Sequence, residues 1–359
     1  PVIMKRLFLL TTTIFAGIMI CAISDVYAQA KSDKLKTIDI KTDNIEILNI
    51  DNLPKIKFDP GEDMKNLVGY MPTPPYPFGD KFLIGSSLMQ AGLNKIMVYN
   101  RKGEYVNTIT QTGNAQYELS GGTHRNVWVK DGYIYVLDSR LRILKFTPEG
   151  KFVAEYEIKK PSEKSSLLNI DPLGDGYLAQ LATITDDEDE FLPILARYDK
   201  NFKFVEYVGE DVIKTSLWGT HFYFTFGNSA NLEQFGYIYN IDSKFKVTNA
   251  LKIGFDGMFY DEFSTVAEEK ALINRAKSEG RYIRNINLTK NYLTFTYRHK
   301  RKDYLAVCNL KSGKSKVYNT QSSSAVLGIL YEGDKMYFFN EGDDWTNMCI
   351  IENVGDLCK

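Results

Sequence analysis

Runs of aromatic and β-branched residues recur along this chain at a nearly constant interval. Each run ends at a turn residue and is followed by a second short apolar run. The clearest copy is Tyr133-Ile-Tyr-Val-Leu-Asp138-Ser139, then Arg142-Ile-Leu-Lys-Phe146, the turn Pro148-Glu149-Gly150, and Lys151-Phe152-Val153. Related segments begin at Lys81, Tyr177, Phe222, Tyr292 and Met336, at steps of 44 to 52 residues with one step of 70. Their nearly continuous apolar character suits strands buried on both faces. A propeller blade of four short strands takes about 40–50 residues. The chain therefore reads as all-β, a six-bladed β-propeller, with each segment the second strand of its blade.

Turn chemistry supports that reading. A hairpin follows the repeat at Tyr99–Tyr105, Phe146–Phe152, Tyr198–Phe204, Tyr239–Phe245 and Cys308–Lys314, with Gly, Asn or Asp at the bend. The sixth copy has no such hairpin, so its outermost strand is missing. Asn44-Ile-Glu-Ile-Leu-Asn-Ile50 alternates with strand period and is predicted to close the last blade. Closure removes sheet edges that would otherwise pair with other chains. Innermost strands are expected near 123–129, 167–170, 213–217, 283–288 and 325–331. In the first blade Met71-Pro-Thr-Pro-Pro-Tyr-Pro77 reads as loop, because Pro lacks a ladder donor. The long step carries one helix, near 261–280, with Ser264 or Thr265 as its cap and Gly280 as its stop.

The N-terminus changes the compartment. Met4-Lys5-Arg6, an apolar run from Leu7 to Ile20 and Val26-Tyr27-Ala28 have the layout of a signal peptide over residues 1–28. Residues 29–41 are read as a flexible leader and 42–359 as the propeller. The expected product is exported to the periplasm or cell surface, is monomeric and has no membrane span. Cys21 sits where a lipid anchor would attach, but Ile18-Met19-Ile20 lacks the small residues such processing uses. The formal charge is -1. That balance gives no electrostatic case for nucleic acid. Beyond residue 28 the cysteines are Cys308, Cys349 and Cys358, an odd set for which a Cys349–Cys358 bridge is one arrangement.

Candidate chemistry comes from the turns that share one ring face. Tyr117, His124 and Arg125 lie on the connection into the second blade, and Asp138 and Arg140 on its turn. Arg298 and His299 lie on the turn of the fifth blade, Asp343 and Trp345 on that of the sixth. His124, Arg125 and Asp138 can form an anion or acid–base set. Each also has a plainer reading: a capped strand start for His124, and a turn tied by its carboxylate for Asp138, with Arg140 and Arg142 pairing to it. The run 186–190 holds five acids that can attract Ca²⁺, yet it matches no Ca²⁺ loop and reads as solvated. No other metal and no cofactor is expected.

The stretches Ile96–Val106, Gln111–Tyr117, Tyr133–Asp138 and Ile143–Val153 resemble the NHL and TolB-like six-bladed propellers. More narrowly they are similar to exported propeller (lipo)proteins of Bacteroidetes. Those often carry a Gly-x-Gly-Pro-Gly-Glu-Tyr stretch where this chain has Thr112-Gly-Asn-Ala-Gln-Tyr117, which keeps Gly113 and Tyr117 and lacks the Gly-Pro-Gly-Glu core. The resemblance implies a fold and a compartment. Enzymatic relatives hold a channel metal, but none of their ligands transfers to a residue of this chain. The expected function is a non-catalytic envelope binding or scaffold protein with a glycan, peptide or protein partner. The alternative is a metal-dependent hydrolase, lactonase or lyase at the central channel.

Overall fold

The computed structural model describes residues 36–62, 68–69, 75–88, 93–120, 126–183, 193–210, 212–213, 222–226, 229–234, 236–259, 265–279, 282–299, 302–320, 326–340 and 347–359. Before the first blade come β1 (Thr37–Ile40), β2 (Ile45–Ile47) and β3 (Lys55–Lys57). Blade 1 is β4 (Tyr76–Phe78), β5 (Lys81–Leu88), β6 (Leu93–Asn100) and β7 (Tyr105–Gln111). Blade 2 is β8 (Asn126–Lys130), β9 (Tyr133–Leu137), β10 (Arg142–Phe146) and β11 (Phe152–Glu157). Blade 3 is β12 (Ser165–Leu173), β13 (Gly176–Thr183), β14 (Leu195–Tyr198) and β15 (Phe204–Tyr207). Blade 4 is β16 (Phe222–Phe226), β17 (Ser229–Gln234), β18 (Tyr237–Asp242) and β19 (Val247–Phe255). After helix α1 (Val266–Glu279), blade 5 is β20 (Tyr282–Leu288), β21 (Tyr292–His299), β22 (Lys302–Asn309) and β23 (Ser315–Asn319). Blade 6 is β24 (Val326–Glu332), β25 (Lys335–Asn340) and β26 (Asn347–Ile351), completed by β3.

The ring is a six-bladed propeller closed by an N-terminal strand, but the closing strand is not the predicted one. β3 pairs antiparallel with β26, Ile56 opposite Met348. The alternating segment around β2 instead adds a parallel fifth strand outside β23 of blade 5. β1, assigned by the sequence to a leader, adds a parallel fifth strand to β19 of blade 4. Beyond β3 the Asp59 N–H donates to Gly103 O at 2.8 Å and Asp59 O accepts from Tyr105 N–H at 3.2 Å, reaching blade 1. Residues 37–59 thus run round the rim across blades 4, 5, 6 and 1. Two-residue periodicity finds a strand but does not say which sheet edge it meets, and Lys-Ile-Lys has too little pattern to compete.

Fourth-blade register also differs from expectation. Phe222–Phe226 is the innermost strand, paired to β17, and not the second strand. The predicted inner strand at 213–217 lies mostly outside the described residues. In blade 1, β4 forms within the predicted Pro-rich loop, with Pro77 opposite Phe82. A three-residue strand at a sheet edge tolerates the missing donor.

Sheet edges are managed in different ways. Blades 4 and 5 are covered by β1 and β2. β7 pairs to β6 through two register shifts, β11 presents Val153, Glu155 and Glu157, and β15 has only four residues. Bulges, charges and brevity each discourage pairing with another chain.

Blade interfaces hold the core. Phe58, Phe82, Tyr99, Tyr337 and Phe339 lock blade 6 to blade 1, and Leu83, Ile96, Val136 and Leu144 lock blade 1 to blade 2. The hairpins between third and fourth strands repeat one device. Oδ1 of Asn100, Asp199 and Asp242 accepts two backbone N–H groups each, at 2.8–3.0 Å. Three residues on, the chain takes positive φ, with Gly in blades 1 and 2 but Phe202 and Phe245 in blades 3 and 4. Phe202 is 3 % exposed and packs on Tyr177 at 4.5 Å and on Tyr156 of blade 2 at 5.2 Å. Burying the ring offsets the roughly 1–2 kcal/mol cost of the left-handed backbone. Phe202→Ala keeps that backbone cost and loses the ring, so urea unfolding should show a loss of about 3–5 kcal/mol.

α1 opens with a capping box: Glu268 N–H donates to Thr265 Oγ1 at 3.2 Å and Thr265 N–H to Glu268 Oε2 at 3.1 Å. It buries Val266, Glu269, Ile273 and Ala276 and touches β20, the innermost strand of blade 5. The chain ends in a 3₁₀ turn, Val354–Cys358, packed across blades 5 and 6. Cys308, Cys349 and Cys358 are buried and in no disulfide, so the Cys349–Cys358 bridge is not formed, and burial pushes the thiols of Cys308 and Cys358 up.

Candidate functional site

In an antiparallel blade, the connection from second to third strand and the one leaving the fourth strand emerge at the same end. On blade 2 that end contains Asp138 and the loop 112–119. Asp138 ends β9 with no exposed surface. Its Oδ1 accepts the N–H groups of Arg140 at 2.9 Å and Arg142 at 3.0 Å, tying the turn. Its Oδ2 accepts from Arg142 Nε at 2.9 Å and Nη2 at 2.7 Å, and from Ser120 Oγ at 2.9 Å. A buried carboxylate is tolerable only when paired and hydrogen-bonded, and this one has five donors.

Arg142 carries the tie outward. Its Nη2 donates to Glu118 O at 3.0 Å, and Nη1 to Gln116 O and Glu155 Oε2, both at 3.4 Å. The loop is closed from the other side by Thr110 Oγ1, which donates to Tyr117 O at 2.8 Å. Glu118 folds back to accept Ala115 N–H at 2.8 Å. A Cβ on Gly113 would lie 1.9 Å from that carboxylate, which would have to swing aside and give up Ala115. Tyr117 stands at the apex, 52 % exposed, its ring 6.4 Å from Phe152.

Of the predicted site residues, the structure links Asp138, through Arg142, to the carbonyls of Gln116 and Glu118 that flank Tyr117. Arg140 is exposed and binds Asp138 through its backbone. Arg298 and His299 occupy the last two positions of β21, in register with Asp303 and Lys302. His124, Arg125, Asp343, Trp345 and the acidic run 186–190 lie outside the described residues. The carboxylate of Asp138 is the turn tie, already neutralised, and among described residues no group of three or more His, Cys, Asp or Glu side chains is placed to hold a metal ion.

Sequence reasoning passed over Ser120 and Glu155, which have no motif of their own, and a second buried carboxyl on blade 4. Glu233 is 4 % exposed and accepts Gly236 N–H at 2.6 Å. Burial pushes its pKa up to about 8, the backbone hydrogen bond opposing.

No family model matches the chain, and no curated protein matches it. Solved structures do. A candidate exported protein of Bacteroides fragilis superposes with a TM-score of 0.63 at 16 % identity, over 84 % of this chain and 88 % of that one. The WD40 propeller domain of Doa1 gives 0.43 at 10 % identity over 77 % of each chain. BamB from Moraxella catarrhalis gives 0.41 at 11 % identity, over 79 % and 86 %. The first of these likenesses shares the fold, and with the six sheets above it makes the chain a six-bladed β-propeller.

Proposed function

We propose that this protein is an exported, non-catalytic binding or scaffold propeller of the cell envelope, holding a glycan, peptide or protein partner. The carrying observation is the Asp138–Arg142 tie. Its polar groups bond to one another and to the 112–119 loop, and their product is a fixed, exposed Tyr117. That arrangement presents a surface, and its buried carboxylate is taken up in holding it. Export is supported by the apolar run and small residues before Gln29, and by the likeness to a candidate exported protein. Among described residues no helix is long and apolar enough to cross a membrane.

Thermal unfolding with and without EDTA tests the reading. A ligand bound only by the folded state raises its stability by mass action. The melting temperature is expected to stay within about 1 °C on chelation and on adding back Ca²⁺ or Zn²⁺. A drop of several degrees, restored by one metal, would move the function to metal-assisted chemistry at the channel.

A further inference from the structure

We propose that the hairpins joining third to fourth strands form a basic collar that seats the propeller on an anionic lipid bilayer. This surface adds to the binding-protein reading above and does not depend on it. In a propeller the innermost strands all run the same way, so hairpins 100–104, 147–151, 199–203, 242–246 and 309–314 of blades 1 to 5 emerge together. Their end of the ring is opposite the one that holds Asp138.

Charge within the hairpins is sorted by sign. They hold nine Lys or Arg against four Asp or Glu. The acids are engaged within their own hairpins: Asp199 and Asp242 tie theirs, Glu104 Oε2 accepts from Asn100 Nδ2 at 2.6 Å, and Glu149 bonds Thr147. Arg101 is engaged too, by both oxygens of Glu332 at 2.7 Å. The remaining eight are lysines. All eight are exposed, and none has an ion pair among the described residues. Turns between first and second strands, nearer the channel, carry Asp80, Asp131, Asp175 and Asp334, which leaves the positive charge as an outer collar.

The kind of anion follows from the spread of these charges and their chemistry. The ammonium groups are distributed round five blades at one end, so a charged plane meets them at once, whereas a small bound molecule meets one or two hairpins. Lys is a compact charge on a flexible stem, suited to a field of headgroup phosphates, where Arg would favour forked recognition of one. Apolar side chains stand beside the lysines. In blades 1, 2 and 3 the fourth strand bulges at its second residue, which leaves Val106, Val153 and Val205 out of register with the third strand and 45 %, 44 % and 47 % exposed. Lysines flanking exposed apolar groups settle at a headgroup boundary, and an acidic polysaccharide has no use for the valines.

The test is flotation of the exported form, residues 29–359, which carries every described strand and helix, with vesicles of phosphatidylcholine containing about one third phosphatidylglycerol. It should bind these and not pure phosphatidylcholine, and raising salt from about 50 to about 200 mM should weaken binding about tenfold or more. Lys200→Glu with Lys203→Glu should also weaken it about tenfold or more. Lys159→Glu with Lys160→Glu, on the connection that leaves β11 at the opposite end, changes the net charge equally and should weaken it less than about threefold. All four lysines are exposed, so neither pair should lower the melting temperature by more than about 2 °C. Equal losses in the two pairs, or no binding to the anionic vesicles, overturns the proposal. Retention on heparin without vesicle binding overturns it in favour of an acidic polysaccharide. None of these outcomes touches the binding-protein reading, whose own test is the chelation melt.

Discussion

Glu233→Gln raises the melting temperature at pH 8 by roughly 5–10 °C and leaves it nearly unchanged at pH 4. The reason is a buried acid with no cation beside it among the described residues. Glu233 lies on β17 in register with Phe222 on one side and Ile238 on the other. Two residues back, the Oδ1 of Asn231 is also buried, with no hydrogen-bond partner among the described residues. Asp138 is as deeply buried but has Arg142, whereas Glu233 has the Gly236 N–H. Burial raises the folded pKa from 4.5 to about 8. Below pH 4.5 the group is protonated folded or unfolded, and it has no effect. Between those values the unfolded chain loses its proton and the folded chain keeps it, so stability falls as pH rises, by about 1.4 kcal/mol per pH unit. Above pH 8 both forms are ionised and the penalty levels off, on the order of 5 kcal/mol. Gln keeps an acceptor for Gly236 and removes the ionisation. Melting curves from pH 4 to 9 check this: wild type should lose stability across the window relative to the variant. Parallel curves would mean that Glu233 does not titrate there.

The same residue shows why blade 4 was hard to read. Its second strand is Ser-Ala-Asn-Leu-Glu-Gln, whose polar letters hide a segment with Ala230 and Leu232 fully buried and Asn231, Glu233 and Gln234 nearly so. The aromatic run at Phe222 carried the stronger periodic signal and took its place. Where local chemistry and burial agree, as in Tyr133–Leu137 with its following Asp138, the strand, the turn and the tie were all legible. Pairing of Asp138 with an arginine of its own turn was readable too, and the structure gives the side-chain pair to Arg142 and only a backbone bond to Arg140. What periodicity could not supply was distance along the chain: that β1 meets β19, β2 meets β23 and Lys57 meets the hairpin at Gly103. Those contacts join positions far apart in the chain. Tyr117 was readable as a candidate, but its anchoring was not, since Thr110 and Arg142 converge on the 116–118 carbonyls only in three dimensions.

Gly103→Ala should weaken ring closure, and Gly132→Ala should not. Both glycines sit at positive φ, +90° and +75°, where an L side chain costs roughly 1–2 kcal/mol. Around Gly132 nothing lies within 4 Å of an added Cβ, so its variant measures that backbone cost alone. At Gly103 the added Cβ would lie 2.0 Å from Lys57 O and 3.0 Å from Ile56 Cγ2. The clash is with backbone of the closing strand, which cannot swing aside as a side chain can. Relief requires β3 to move, and β3 is held by Ile56 opposite Met348 and by the Asp59–Gly103 hydrogen bond. Both holds fail together, exposing Phe58 and Phe339 at the joint between blades 6 and 1. The expected difference between the two variants is about 3 kcal/mol or more in urea unfolding, in the range seen when a core contact is lost. Amide exchange should quicken in β26 and β3 for Gly103→Ala and not for Gly132→Ala, because local opening frees only the strands at the joint. Equal losses in the two variants, with β26 still protected, would mean that the ring does not depend on Lys57 at this junction and that closure lies elsewhere in the belt of residues 37–59.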